Sequence, residues 1–319
     1  MSRRVFMILS PRSLPYARQC VESLFAKAAE QLEVCFMTDS AADKVELTDV
    51  IGSLPNPAAH CWQVVDDSDA EVRANEQWAT LPNLRTFRRG HPCWRKVTDP
   101  LLFSSNSEEM VILDPDLYFP NRFTFEPTPK TGVRLMWQHP NCMLPSSTVR
   151  AALSASIALA RHVDIGVAQW NGNQDLEWFD WMIGKLGGAA LPRIMHVESI
   201  VWSALAMHLG GGHLDPEKWH CWHRTQVARV LLKAGVKGVN LLRLEPFSKM
   251  KCFHAGGEAK WWLADAQKAG LLDQSGELLK ESQVLPFVEL TRLRFDAEQS
   301  VKGVLRHLGY YRVFNPSTN

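Results

Sequence analysis

Met110-Val111-Ile112-Leu113-Asp114-Pro115-Asp116 is the stretch on which the fold turns. Its four apolar residues read as a strand buried on both faces. Two carboxylates follow at once, on either side of one proline. In open α/β sheets, ligands gather at the carboxyl ends of the strands. Acids this close repel one another and lose solvation unless a cation sits between them. A hard divalent ion, Mg²⁺ or Mn²⁺, takes oxygen ligands and keeps positions open for phosphate oxygens. Asp-x-Asp by itself also occurs in solvated turns; its place behind an apolar strand favours the metal reading.

Working outward, the chain alternates strand and helix in the manner of a doubly wound sheet. Val5–Leu9, Leu32–Met37 and Gln63–Val65 read as strands before it, and Val133–Trp137 after it. Val21, Leu24, Phe25 and Ala28 recur at helical spacing. Residues 41–60 are less regular, with a loop at Pro55-Asn56-Pro57. Residues 145–162, 174–186, 198–209 and 225–235 read as helices, the third ended by Gly210-Gly211-Gly212. Lys251–Phe253 is a late strand, and the chain from 261 onward is mostly helical. No repeat, low-complexity tract or long linker interrupts this pattern.

The totals bound the function. The 319 residues are 46% hydrophobic, enough for a substantial core. Lys and Arg number 35 against 34 Asp and Glu, which gives no electrostatic case for nucleic acid as a partner. Any anion must be bound by a local cluster. The seven cysteines are scattered with no Cys-x-x-Cys pair, a pattern suited to a reducing compartment. No apolar run approaches the roughly 20 residues of a membrane span, and a cytoplasmic enzyme is expected.

A second element lies late in the chain: Cys252-Phe253-His254-Ala255-Gly256-Gly257-Glu258-Ala259-Lys260-Trp261-Trp262. A His at a strand end can offer an imidazole to the same ion. The glycines let backbone approach a phosphate, and Lys260 supplies positive charge. A plain Gly turn before an amphipathic helix fits the residues equally well.

Together the two elements resemble the retaining GT-A glycosyltransferases related to glycogenin and the bacterial lipopolysaccharide galactosyltransferases. That family has a strand ending in Asp-x-Asp and a late His-x-x-Gly-x-x-Lys-Pro-Trp segment. Here the His, the glycine at Gly257, the Lys and a Trp are kept, and Trp261 replaces the proline. The resemblance spans roughly 85–262 in scattered motifs. It implies a GT-A-like α/β fold: a mixed, mostly parallel sheet flanked by helices, with a helical C-terminal tail. The donor half is expected at 1–125, the acceptor half at 126–260, and the tail at 261–319.

By that resemblance Asp114, Asp116 and His254 hold Mn²⁺ or Mg²⁺, and Asp114, Gly257 and Lys260 face the diphosphate of a nucleotide sugar, a UDP-sugar in expectation. Trp94-Arg95-Lys96 is similar to the family's Tyr-x-Arg/Lys stretch, which places Arg95 and Lys96 at the donor. Ser10 and Pro11, at the end of the first strand, are expected beside the nucleotide. Asn173-Gln174-Asp175 is similar to the family's Asp-Gln-Asp segment near the reaction centre. His162-Val163-Asp164-Ile165-Gly166-Val167 occupies the place of its Asn-Ser-Gly-Val strand. The catalytic candidates are Asp175, Gln174, Asp164 and Glu198. The expected reaction moves a sugar to a hydroxyl acceptor such as a glycan, a lipid-linked sugar or a small molecule. The residues leave open whether it retains or inverts configuration, though the family retains.

Two rivals stand beside this reading, one an enzyme and one not. A nucleotidyltransferase shares the sheet, the acids and the metal, but usually has a Gly-rich basic loop after the first strand, where Ser10-Pro11-Arg12-Ser13 has no glycine. A catalytically inactive nucleotide- or sugar-binding protein is the other. His208, His213, His220 and His223 invite a zinc site, without His-Glu-x-x-His or Cys-x-x-Cys spacing to support it. Trp219, Trp222, Trp261 and Trp262 suit sugar stacking or core packing. The basic, amphipathic tail around 287–314 is expected to dock on its own domain through Leu290, Leu293, Val301, Val304, Leu305 and Leu308. A peripheral membrane contact is its alternative.

Overall fold

The computed structural model describes residues 2–310 apart from 106–107, 140, 173 and 275. Its strands are β1 (Arg3–Ile8), β2 (Leu32–Met37), β3 (Cys61–Val65), β4 (Glu109–Leu113), β5 (Leu117–Tyr118), β6 (Val133–Trp137), β7 (Val163–Asn171), β8 (Gly211–Leu214), β9 (Trp219–Cys221), β10 (Cys252–His254) and β11 (Val284–Pro286). Eight of them form one sheet in the order β11-β8-β6-β7-β4-β1-β2-β3. The block β4-β1-β2-β3 is parallel throughout, as is β6-β8. β7 runs antiparallel to both β4 and β6, and β11 antiparallel to β8.

Both faces of the sheet are covered. Along β1 the side chains alternate: Val5 and Met7 join the core that contains Leu24 and Phe25 of helix Leu14–Lys27, while Phe6 joins the core with Trp94, Val97 and Ile112. A strand buried on both sides can be apolar at every position, which is why β1, β2 and β4 read as continuous apolar runs. The result is the mixed, mostly parallel sheet flanked by helices that the sequence implies.

A second sheet, β5-β10-β9, sits on the carboxyl edge of the first. Leu117, the residue after Asp116, pairs with His254, and Tyr118 pairs with Phe253. This short ladder carries a residue from position 254 to the acids at 114 and 116. The Ala255 N–H donates to the Asp116 carbonyl at 2.9 Å and tightens the junction.

Several local expectations differ from the structure. Within residues 41–60 there is a helix, Ala41–Gly52, whose N-terminus is capped by Ser40 Oγ accepting from the Asp43 N–H at 3.2 Å. Only Leu47 and Ile51 of it are buried, so its apolar pattern is thin. The helix expected over 145–162 stops at Ser154. Ser156 and His162 both take left-handed backbone, with φ of 58° and 60°, and turn the chain into β7. Residues beyond 260 are not wholly helical, because β11 extends the main sheet by one edge strand.

Helix Arg292–His307 docks by a face other than the expected one. Phe295 is its one buried residue, and Arg150 lies over the ring at 5.5 Å. Leu290, just before the helix, is buried as well. Leu293, Val301, Val304 and Leu308 face solvent instead. Arg312 and the rest of 311–319 lie outside the described residues. Among the described residues no helix is long and apolar enough to cross a membrane.

Candidate active site at the carboxyl edge of β4

Asp114 follows β4 directly, and its N–H donates to the Gly166 carbonyl of β7 at 2.9 Å. The turn through Pro115 brings Asp116 alongside, and the ladder β5-β10 supplies His254. The His254 Nε2 lies 3.3 Å from Asp116 Oδ1 and 3.8 Å from Asp114 Oδ2. On the far side of the ring, Nδ1 is 2.7 Å from Asp164 Oδ2. Asp164 thereby holds the imidazole in one orientation and leaves Nε2 aimed at the acid pair, the arrangement in which a carboxylate orients a ligating histidine. Gly166 makes room for it: β7 is irregular here, its register against β6 jumping from Ala168 to Asp164, and a Cβ on Gly166 would sit 2.6 Å from His254 Nδ1.

Two ammonium groups balance the acids. Lys96 Nζ is 2.5 Å from Asp114 Oδ1 and 3.1 Å from Glu198 Oε1, the second an ion-pair distance without a well-directed hydrogen bond. Lys260 Nζ is 3.3 Å from Asp116 Oδ2. Burial works to lower the pKa of Lys96, but the carboxylates of Asp114 and Glu198 outweigh it and raise it. Burial raises Asp116, and His254 and Lys260 overcome that, leaving it at about 2. For Asp114, burial together with Asp116 outweighs Lys96 and raises the pKa. His254 loses basicity to burial but gains more from Asp164 and Asp116, so its pKa rises well above the usual value. Glu198, buried in the first turn of helix Val197–Leu209, is pushed up to about 8 by burial against the pull of Lys96.

These groups line a cleft of ≈ 560 Å³, within the size range of small-molecule sites. Lys96, Asp114, Asp116, Asp164, Glu198, His254, Gly257 and Lys260, all singled out in the sequence, meet there. Gly257 has φ of +65°, a left-handed conformation that suits glycine.

Other candidates are placed elsewhere. Because β7 is antiparallel to β4, Asn171 pairs with Glu109 at the opposite edge of the sheet. Gln174 and Asp175 follow that end, roughly 20 Å along the strand from Asp164. There Gln174 bonds the Asn171 carbonyl, and Asp175 caps helix Leu176–Leu186 through the Trp178 N–H at 2.9 Å. Neither touches the cleft, and Asn173 lies outside the described residues. Arg95 turns away from its neighbour Lys96 and binds Asp39, Asp67 and the Thr38 carbonyl at the ends of β2 and β3. Ser10 and Pro11 stand on the same sheet edge as Asp114, in a turn after β1, but do not form the cleft wall.

The four histidines at 208–223 do not converge. His208 stacks on Trp178, His213 is buried against Phe287, His220 pairs with Glu245 at 3.1 Å, and His223 alone of the four enters the cleft. Trp219 is core, Trp222 lines the cleft, Trp262 packs edge-on against Trp222, and Trp261 is exposed beside Tyr16. His139, His196, Cys221 and Arg224 also line the cleft, and no motif marked them as a group.

The donor set of Asp114, Asp116 and His254 suits a divalent cation: two carboxylate oxygens and one imidazole nitrogen, all within 4.8 Å of one another. A second grouping, Asp164, Cys221 and His254, draws on the same ring. Its nitrogen is already committed to Asp164 at 2.7 Å, and burial pushes the Cys221 thiol up to about 12. The acid pair with Nε2 is the better fit.

No protein-family model matches the chain, and no curated protein matches it in sequence. Among solved structures it is similar to mouse xyloside xylosyltransferase 1 in its apo form, with a TM-score of 0.53 and 11% identity over 81% of this chain and 98% of that one. It also matches the glycosyltransferase GlyE of Streptococcus pneumoniae, with a TM-score of 0.46 and 12% identity over 100% of this chain and 66% of that one. The mannosyltransferase Ktr4p of S. cerevisiae follows, with a TM-score of 0.42 and 12% identity over 64% and 66%. At this level of identity the first likeness establishes a shared fold, the one found in that xylosyltransferase.

Proposed function

We propose that this chain is a metal-dependent glycosyltransferase that moves a sugar from a nucleotide-diphosphate sugar, a UDP-sugar in the first instance, to a hydroxyl acceptor. The observation that carries the proposal is the convergence of Asp114, Asp116 and a carboxylate-oriented His254, flanked by Lys96 and Lys260, in one cleft at the carboxyl end of β4. Mn²⁺ or Mg²⁺ held by the three ligands would supply the positive charge that stabilises a diphosphate as leaving group.

The chain's own residues divide the remaining tasks. Lys260, now 3.3 Å from Asp116, offers an ammonium to the phosphates. Lys96 is tied to Asp114 and Glu198 and keeps that side of the cleft near neutrality. Asp164 is committed to His254, so its role is positioning. Of the four catalytic candidates, Glu198 remains as the carboxyl facing the reacting region. With its pKa pushed up by burial, it is the group suited to exchange a proton or hydrogen bond with a sugar or acceptor oxygen. The family resemblance favours retention of configuration. A nucleotidyltransferase is less favoured, since a glycine-free turn follows β1.

A thermal-shift panel of UDP, GDP, ADP and CMP, each with Mn²⁺ and with EDTA, tests the reading. A nucleotide at about 100 times its dissociation constant stabilises by about 2.7 kcal/mol. A Mn²⁺-dependent shift with one nucleotide, lost in Asp116→Ala, is expected. Equal behaviour in Mn²⁺ and EDTA for every nucleotide contradicts it.

A further inference from the structure

Beside the cleft lies a second cavity of ≈ 380 Å³, and Cys221 and His223 form walls of both. The two spaces thus adjoin along the segment from β9 to His223. We propose that this groove, walled by Trp137, Pro216, Glu217, His220, Pro246 and Lys249, is an acceptor subsite that holds the second and further units of a neutral oligosaccharide whose terminal hydroxyl reaches the Asp114–Asp116 cleft. The inference rests on the glycosyltransferase reading and names the substrate class of that same site.

Its chemistry is that of a sugar site. An indole and two proline rings supply apolar wall, against which the C–H faces of a pyranose pack. Glu217, Lys249 and His220 supply a few polar groups for hydroxyls, the usual composition of a specific small-molecule pocket. The charges nearly cancel. Glu217 opposes Lys249, His220 is paired with Glu245 at 3.1 Å, and burial together with His139 and His220 lowers the pKa of His223. A phosphorylated, sulfated or carboxylated glycan has no cationic cluster to meet there, unlike the neighbouring cleft with Lys96 and Lys260.

The groove is also pre-organised. Trp137 ends β6, and its ring rests against those of His139 and His162 at 6.1 and 5.2 Å. His162 is fixed through Nδ1 on the Gln138 carbonyl and Nε2 beside Arg161, each at 2.9 Å. It holds left-handed backbone at φ 60°, a conformation that costs a non-glycine residue energy and that clusters at ligand sites. An aromatic already locked in place loses little entropy when a ligand arrives.

A glycan array tests this, carrying neutral mono- to tetrasaccharides and their sialylated or sulfated counterparts. The same preparations are scored for the Mn²⁺-dependent nucleotide shift. Neutral oligosaccharides are expected to bind, at least tenfold tighter than monosaccharides. Trp137→Ala and the exposed double variant Glu217→Ala/Lys249→Ala are each expected to weaken that binding at least tenfold with the nucleotide shift unchanged. The double variant guards against misfolding of Trp137→Ala. Neutral binding equal in wild type and double variant, binding of anionic glycans alone, or no glycan bound at all each overturn the inference. A nucleotide shift that is absent while variant-sensitive glycan binding persists overturns the donor reading and leaves the groove standing.

Discussion

Gly166→Ala probes the architecture of the site with a single methyl group. The added Cβ would lie 2.6 Å from His254 Nδ1, 2.8 Å from its Cγ and 3.1 Å from Asp164 Oδ2. The backbone at 166 is not left-handed, so alanine is conformationally acceptable and the whole effect comes from the contact. His254 has little freedom to yield. It is buried, sits in the middle strand of the small sheet, and is held by Asp164 at 2.7 Å. Overpacking of this kind costs about 1–3 kcal/mol, and losing a hydrogen bond to a charged group costs about 1.5–3 kcal/mol. Removing a glycine returns about 0.4–1 kcal/mol through the unfolded chain. The net loss is about 2–6 kcal/mol, and at about 2–4 °C per kcal/mol the midpoint falls by roughly 4–24 °C. Urea unfolding and Mn²⁺ titration of the same variant give the two readouts: lower stability, and Mn²⁺ affinity down at least tenfold. Unchanged stability together with unchanged affinity would refute the packing of His254 against β7.

Other variants separate neighbouring roles. Asp164→Asn keeps the shape but removes the charge behind His254, and is expected to weaken Mn²⁺ binding by about 10–100-fold, measured by titration. Glu198, with a folded pKa of about 8 against an ordinary 4.5, binds its proton more tightly in the folded state. Its contribution is full below pH about 4.5 and is lost as pH rises through about 8, by as much as about 5 kcal/mol. Glu198→Gln is therefore expected to flatten the stability profile across that window in denaturation at stepped pH. Lys251 Nζ and Glu126 Oε1 form a fully buried pair at 2.6 Å under β10. Lys251→Met leaves that carboxylate unpaired and is expected to cost about 3–5 kcal/mol, while Lys251→Met/Glu126→Gln recovers most of it.

The parts of the site legible in the sequence are those carried by local pattern. An apolar run ending in Asp114-Pro115-Asp116 marks a central strand and the sheet edge on which the acids stand. His254 was recognisable from its place before Gly256-Gly257 and Lys260. What pattern does not carry is strand direction. Gln174 and Asp175 follow a strand that runs antiparallel to β4, so they emerge at the opposite sheet edge from Asp114, and only the pairing reveals it. Arg95 and Lys96 are adjacent in sequence yet turn apart, one to Asp39 and Asp67, the other to Asp114. Asp164 was visible as a candidate acid, but its work as the anchor of His254 depends on β7 and β10 meeting, a contact between positions ninety residues apart. Glu198 reads in the sequence as a helix-start acid and a catalytic candidate, and its raised pKa comes from its burial.

Mn²⁺ binding followed by electron paramagnetic resonance, with and without UDP, asks directly whether Asp114, Asp116 and His254 hold the ion. A bound-ion signal is expected that tightens when UDP is added and disappears in His254→Ala and Asp116→Asn. A Mn²⁺ spectrum indifferent to the protein, in the presence of UDP as in its absence, would contradict it.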